Sequence, residues 1–216
     1  MHPNTQEAYE LLHDGTLALA KAERQGIRFD EGKALQFKER LSKKIEILEK
    51  KFYETEFFKN WQKSSSKTVN IYSNPQLGHY LYDVLEIEPV AFTKSKKGST
   101  SETALKELEI KDINYIIKIR KLKKIRDTYL ESFLRESVGG YIHPSFNLHI
   151  ARTFRSSSNN PNFQNIPKRE QEARKITRQC LFPRPGHQLM EIDYGQLEVR
   201  IAACYNQDPK LIKDIL

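Results

Sequence analysis

Sulfur is scarce in this sequence, with two cysteines and two methionines among 216 residues. Cys180 and Cys204 have neither close pairing nor metal-ligand spacing. That excludes a disulfide framework and a thiolate zinc site, and it leaves two reduced thiols of the kind expected in a cytoplasmic protein. Long apolar runs are missing too; none approaches the roughly 18 residues that a membrane span needs. The opening Met1-His2-Pro3-Asn4-Thr5-Gln6 is polar and does not read as a secretory signal. Repeats and long low-complexity tracts are absent. What is present is a globular balance, 38% hydrophobic and 30% charged, enough for one large domain or two small ones.

The net charge of +8 is unevenly spread. Between Lys94 and Arg126 there are 11 basic and 4 acidic residues, and between Gly140 and Arg178 there are 7 basic and 2 acidic. These blocks carry +7 and +5, so the rest of the chain nets to −4. Clustered positive charge suits a polyanion, whose counterions are released on binding. Charge alone does not separate that reading from lysine-rich helices that are merely solvated.

Apolar spacing predicts a helix over residues 6–23, using Ala8, Leu11, Leu12, Leu19 and Ala22. Gly26-Ile27-Arg28-Phe29-Asp30 interrupts it, and Asp30 suits the N-cap of the next helix. Phe37, Leu41, Ile45, Leu48 and Phe52 then form one stripe on a single helix from Glu31 to about Trp61. At 1.5 Å per residue it would run roughly 45 Å, ending at Ser64-Ser65-Ser66-Lys67. A loop-rich tip comes next, with a short helix over 75–85 and a flexible basic loop over 94–100. A second long helix is predicted from Asp112 to Ser137, striped by Ile119, Leu122, Ile125, Tyr129 and Phe133 and stopped at Gly139-Gly140. Two long helices flanking a basic tip make an antiparallel arm.

Beyond Gly140, short β-prone runs and turns replace helical periodicity. Residues 188–193 alternate, with Met190 and Ile192 on one side and Glu191 and Asp193 on the other, which predicts a strand. Helical spacing returns from Gln196 to Tyr205, and Asp208-Pro209 resembles an N-cap with proline at the first helical position. Asp193, at the end of the predicted strand, has two readings: a Mg²⁺ ligand, or the cap of the next helix.

Asp193-Tyr194-Gly195-Gln196-Leu197-Glu198-Val199-Arg200 resembles the Asp-Tyr-Ser-Gln-Ile-Glu-Leu-Arg motif of family A DNA polymerases. Upstream, Thr153-Phe154-Arg155-Ser156-Ser157-Ser158, then Pro161-Asn162-Phe163-Gln164-Asn165-Ile166-Pro167, resembles that family's Thr-Gly-Arg…Pro-Asn-Leu-Gln-Asn-Ile-Pro signature. Gly26 to Asp30, Asn70 to Leu77 and His143 to Asn147 match in order as well. The resemblance implies an α+β fold: a helical thumb over 34–137 between two palm segments, 1–33 and 138–216, with antiparallel strands and helices in the partial palm.

It also implies roles. Asp193 resembles the first metal-binding aspartate of a two-metal Mg²⁺ site, with the Tyr194 carbonyl as a further ligand. Glu198 resembles the residue that crowds the sugar 2′-position, and with Gln196 it would face the deoxynucleoside triphosphate. Arg155, Asn162, Gln164, Asn165, Thr153, Ser157 and Arg169 would contact primer–template DNA. Lys94, Lys96 and Lys97 would hold duplex phosphates from the thumb tip. Turn formation around Pro161 and Pro167 accounts equally well for the amides.

Three positions depart from the pattern: Phe154 and Gly195 replace a glycine and a serine, and Arg152 adds a charge. The family pattern would continue into fingers and a second metal-binding aspartate, neither recognisable in these residues. The chain is therefore expected to be a truncated product, or half of a split polymerase completed by a second polypeptide, and inactive alone. A non-catalytic nucleic-acid-binding module and a single-subunit RNA polymerase relative are the alternatives, the latter opposed by Glu198.

Overall fold

The computed structural model describes residues 4–151, 153, 155–167 and 170–215. Two compact units divide the chain, one running to Phe182 and the other beginning at Pro183.

The first unit opens with α1 (Thr5–Gln25), started by a reciprocal capping box in which the Asn4 side chain accepts from the Glu7 amide and the Glu7 carboxylate from the Asn4 amide. The helix forms as the sequence predicts, yet buries no side chain fully; Leu11 is 75% exposed. It ends at Gly26, whose φ is 60° and where an added Cβ would lie 2.6 Å from the His143 ring. Only glycine meets both demands. The short strand β1 (Ile27–Phe29) comes next, and Asp30 then caps α2 (Glu31–Tyr53) by accepting from the Lys33 amide at 2.8 Å.

The single helix predicted from Glu31 to Trp61 is two helices. It stops at Tyr53, and α3 (Glu56–Ser64) restarts behind Thr55. The Thr55 hydroxyl donates to the Phe52 carbonyl and accepts from the Phe58 amide, so one side chain closes one helix and opens the next. Hydrophobic spacing runs through the break, which hides it from a periodicity argument. At the break, Phe52 meets Phe57 and Phe58, and Trp61 stacks on Tyr80 at 5.4 Å.

The tip carries α4 (Asn74–His79), continued by a wide helical turn over Tyr80–Val84, and then α5 (Glu102–Glu107), which sequence spacing misses. The second long helix is present as α6 (Ile113–Lys123), a π-type stretch over Lys124–Leu130 and α7 (Glu131–Glu136). The widened turn alters the expected stripe. Leu130 is fully buried, whereas Tyr129 is only half-buried, because an extra residue in the turn rotates the later side chains relative to a regular helix. α2 packs along α6 and the π-type stretch, with Leu41, Ile45 and Phe52 buried opposite Ile116, Ile119 and Ile125.

Past the arm, β2 (Ser137–Val138), β3 (Tyr141–Ile142), β1 and a later strand form an antiparallel sheet, ordered β2-β3-β1 and then that strand. A separate hairpin pairs β4 (Ser145–Asn147) with β5 (Ser157–Asn159). α8 (Gln171–Gln179), also missed by the sequence reading, leads to β6 (Leu181–Phe182), the strand that completes the sheet beside β1. Cys180 is wholly buried there, and burial pushes its thiol up to about 11.

In the second unit α9 (Leu197–Asn206) and α10 (Pro209–Ile215) are as predicted, and the Asp208 carboxylate accepts from the Lys210 and Leu211 amides. The strand predicted over 188–193 is not formed. A strand is defined by a ladder to a neighbour, and among the described residues this segment pairs with none. Its apolar side chains accordingly remain in water, Met190 82% and Ile192 80% exposed.

Candidate nucleic-acid interface

The signature around Pro161 is held rigidly. Phe163 packs at 6.1 Å from Phe133, which meets Phe29 edge-on at 5.9 Å, so a line of rings ties this turn to the core of the first unit. Ser158, 6% exposed, donates to the Asn162 side chain and accepts from the Gln164 amide. The Gln164 side chain in turn donates to Ser156 at 2.8 Å. Asn162 and Gln164 are thereby tied into the turn, and they and Asn165 remain exposed. The turn-making reading of these amides is thus met by the hydrogen bonds around Ser158, and it leaves the three side chains at the surface.

Asn162, Asn165 and Pro161 form one wall of a groove of about 440 Å³. The opposite wall is the widened helix, through Lys124, Thr128, Tyr129 and Ser132. The π-type turn matters here: the same rotation that buries Leu130 presents Tyr129 to the groove. Sequence reasoning missed Lys124, Thr128 and Ser132, because only tertiary packing brings that helix face to the Asn162 turn. Amide and hydroxyl groups beside one lysine suit a ligand with an anionic backbone and hydrogen-bonding edges.

Arg155 and Thr153 are exposed and outside the groove's lining. The Ser157 hydroxyl is buried with no hydrogen-bond partner among the described residues. Arg169 lies outside the described residues, as do Arg152 and Phe154.

Lys94, Lys96 and Lys97 lie at the tip, in a turn that is closed rather than loose. The Thr93 amide donates to the Lys97 carbonyl at 2.8 Å, and the Lys97 amide to the Thr93 hydroxyl at 3.2 Å. On the arm, Lys106 and Lys121 share Glu102, and their hydrogen bonds hold its carboxyl below the usual range. Arg126 is held by Asp127.

In the second unit, Asp193 and Tyr194 precede α9 on an exposed segment. Gln196 takes a left-handed conformation at the helix start, and Arg200 closes the turn by donating to the Gly195 carbonyl at 2.9 Å. A Cβ on Gly195 would meet no atom within 4 Å, so this departure from the serine pattern leaves the site's space unchanged. Glu198 is exposed on the first turn of α9. Asp193 and the Tyr194 carbonyl are hard oxygen donors of the kind Mg²⁺ prefers. Among the described residues no group of three or more His, Cys, Asp or Glu converges, so they fit part of an ion site and do not close one.

The sequence model of DNA polymerase family A matches residues 32–216. DNA polymerase I of Geobacillus stearothermophilus is 34% identical over 202 residues, which cover 90% of this chain and 22% of that protein. DNA polymerase I of Bacillus subtilis is 33% identical over 201 residues, covering 91% and 22%. The POL domain of Pol1 from M. smegmatis, solved in complex with DNA primer-template and dNTP, matches with a TM-score of 0.77 at 30% identity. That match covers 90% of this chain and 33% of the other. The chain thus spans about a fifth of the length of the curated relatives it matches.

Proposed function

Because this chain belongs to DNA polymerase family A, we propose that it binds primer–template DNA and supplies one metal-binding carboxylate, Asp193, to nucleotidyl transfer from deoxynucleoside triphosphates. The observation that carries the reading is the groove in which Asn162 and Asn165 face Lys124, Thr128 and Ser132. Minor-groove acceptors are nearly the same for every base pair, so amide and hydroxyl donors there accept any correctly paired duplex. Lys124 meets the phosphates. On this reading residues 34–137 are the thumb, and 1–33 and 138–216 belong to the palm.

The test is anisotropy with labelled primer–template. Replacing Asn162 and Asn165 together with alanine weakens binding about thirtyfold for any sequence, in keeping with about 1 kcal/mol for each of two hydrogen bonds. Binding unchanged by that pair, or changed for one sequence only, would sink the groove assignment.

Mg²⁺ would be held by Asp193 and the Tyr194 carbonyl together with a carboxylate from polypeptide beyond these 216 residues. Bound ions supply activation of the primer 3′-hydroxyl and charge for the leaving pyrophosphate. The exposed Leu197 and Ile201, one turn apart on α9 and 46% and 47% exposed, are apolar surface suited to packing against that further polypeptide.

Glu198 is proposed to crowd the sugar 2′-position. In the completed enzyme Glu198→Ala raises ribonucleotide incorporation relative to deoxynucleotide by at least about tenfold, read by single-nucleotide kinetics; about 1.4 kcal/mol of lost discrimination suffices. An unchanged ratio refutes the role, whatever happens to the overall rate.

A further inference from the structure

The tip of the arm holds a second cavity, of about 680 Å³, in the size range of sites for small organic ligands. One wall is the end of α4 and the wide turn after it, through His79, Tyr82 and Asp83; the other is the turn carrying Phe92, Lys96 and Lys97. Two features set it apart from a basic patch that only tracks a duplex backbone.

First, the cavity is built. The Tyr82 hydroxyl donates to the Ser99 carbonyl, the Ser99 amide donates to the Ala91 carbonyl at 2.8 Å, and Phe92 bridges to Gly98. Gly98 lies flat against the Tyr82 ring, where an added Cβ would come within 2.3 Å of it. The turn is thus clamped to the helix end through its backbone, and no lysine is needed to hold it. Second, its chemistry is mixed. Phe92 lines the cavity yet is 66% exposed, leaving an aromatic face open beside Lys96 and Lys97. Across from them His79 and Asp83 are joined at 2.7 Å, a fixed pair of polar groups.

An open aromatic face, two cations and a fixed polar pair match the parts of one nucleotide: a base to stack, a phosphate to neutralise and a base edge to hydrogen-bond. From this we infer that the tip cavity binds a nucleoside phosphate unit with its base unpaired, either free or within a single strand. A paired base offers no free face to Phe92. The inference rests on the reading that the arm meets nucleic acid, and it adds a site distinct from the groove beside Asn162.

The test uses the whole chain, a short fluorescein-labelled oligothymidylate, and a labelled duplex of equal length. Phe92→Ala weakens single-strand binding about tenfold, within the range found for removing a stacking ring, and changes duplex binding by less than about twofold. Phe92→Tyr restores the single-strand affinity. Because Phe92 is exposed, loss of fold does not confuse the comparison, and thermal melting of each variant checks it. Displacement of the oligonucleotide by free thymidine monophosphate assigns the cavity to free nucleotides; retained binding that still depends on Phe92 assigns it to a strand. Equal losses on duplex and single strand, or no loss on either, overturn the inference. Absence of duplex binding by the unaltered chain would instead refute the primer–template reading, and Phe92-dependent single-strand binding would survive it.

Discussion

The affinity of this chain for a primer–template duplex falls about 10³-fold between roughly 50 and 200 mM salt. The expectation comes from which cations of the arm are already used. Lys106 and Lys121 are paired with Glu102, and Arg126 with Asp127. Lys123 lies over the Tyr72 ring at 3.5 Å. Lys94, Lys96, Lys97, Lys111, Lys118 and Lys124 make no ion pair among the described residues. If all six meet phosphates, at about −0.9 each the slope of log affinity on log salt is about −5. Replacing Lys94, Lys96 and Lys97 with alanine lowers that slope by about 3 and leaves sequence preference unchanged. Anisotropy titrations at several salt concentrations measure both quantities. A slope near zero would mean that the positive blocks are solvated surface with no polyanion partner.

The same residues mark how far sequence reasoning reaches. Local chemistry was legible. Asp30 caps its helix, Ser64 ends one, and Asp208-Pro209 opens another, because each signal is complete within a few residues. Periodicity was legible only where the helix is regular. It pointed to Tyr129 as a core position, and one widened turn gave that place to Leu130. Nor could it reveal the restart at Thr55, where apolar spacing runs straight through the break. Alternation over residues 188–193 pointed to a strand that is not formed: a strand also needs a partner, and no described residue supplies one.

The candidate site divides along the same line. Asn162, Gln164 and Asn165 were legible because a contiguous motif carries them. Lys124, Thr128 and Ser132 were not, since they face Asn162 and Asn165 only after a helix earlier in the chain has packed against the turn. Gly98 and Tyr82 belong to the same class: neither carries a motif, and their contact closes the tip cavity.

The 216-residue chain alone extends no primer, and extension begins when it is supplemented with a polypeptide carrying the remainder of a family A polymerase. In that mixture Asp193→Asn lowers the extension rate by at least about 10³-fold, while primer–template affinity stays within about twofold. The size reflects the several kilocalories that a metal-bound site contributes to the transition state, at about 1.36 kcal/mol per tenfold. On the proposed reading the neutral amide keeps the shape of the aspartate and loses the charge that would attract Mg²⁺, whereas the DNA would be gripped by the first unit's groove and arm. Glu191 is the control. Alternation in the sequence put it on the same side as Asp193, but the strand that would align them is not formed, and no cluster of ligand-type side chains converges there among the described residues. Glu191→Gln therefore leaves the restored rate within about twofold. Equal losses from Asp193→Asn and Glu191→Gln would show that bulk negative charge, and not a specific ligand, is what the site needs. Extension by the purified chain without any supplement would overturn the reading altogether, because it would require a second carboxylate within these residues.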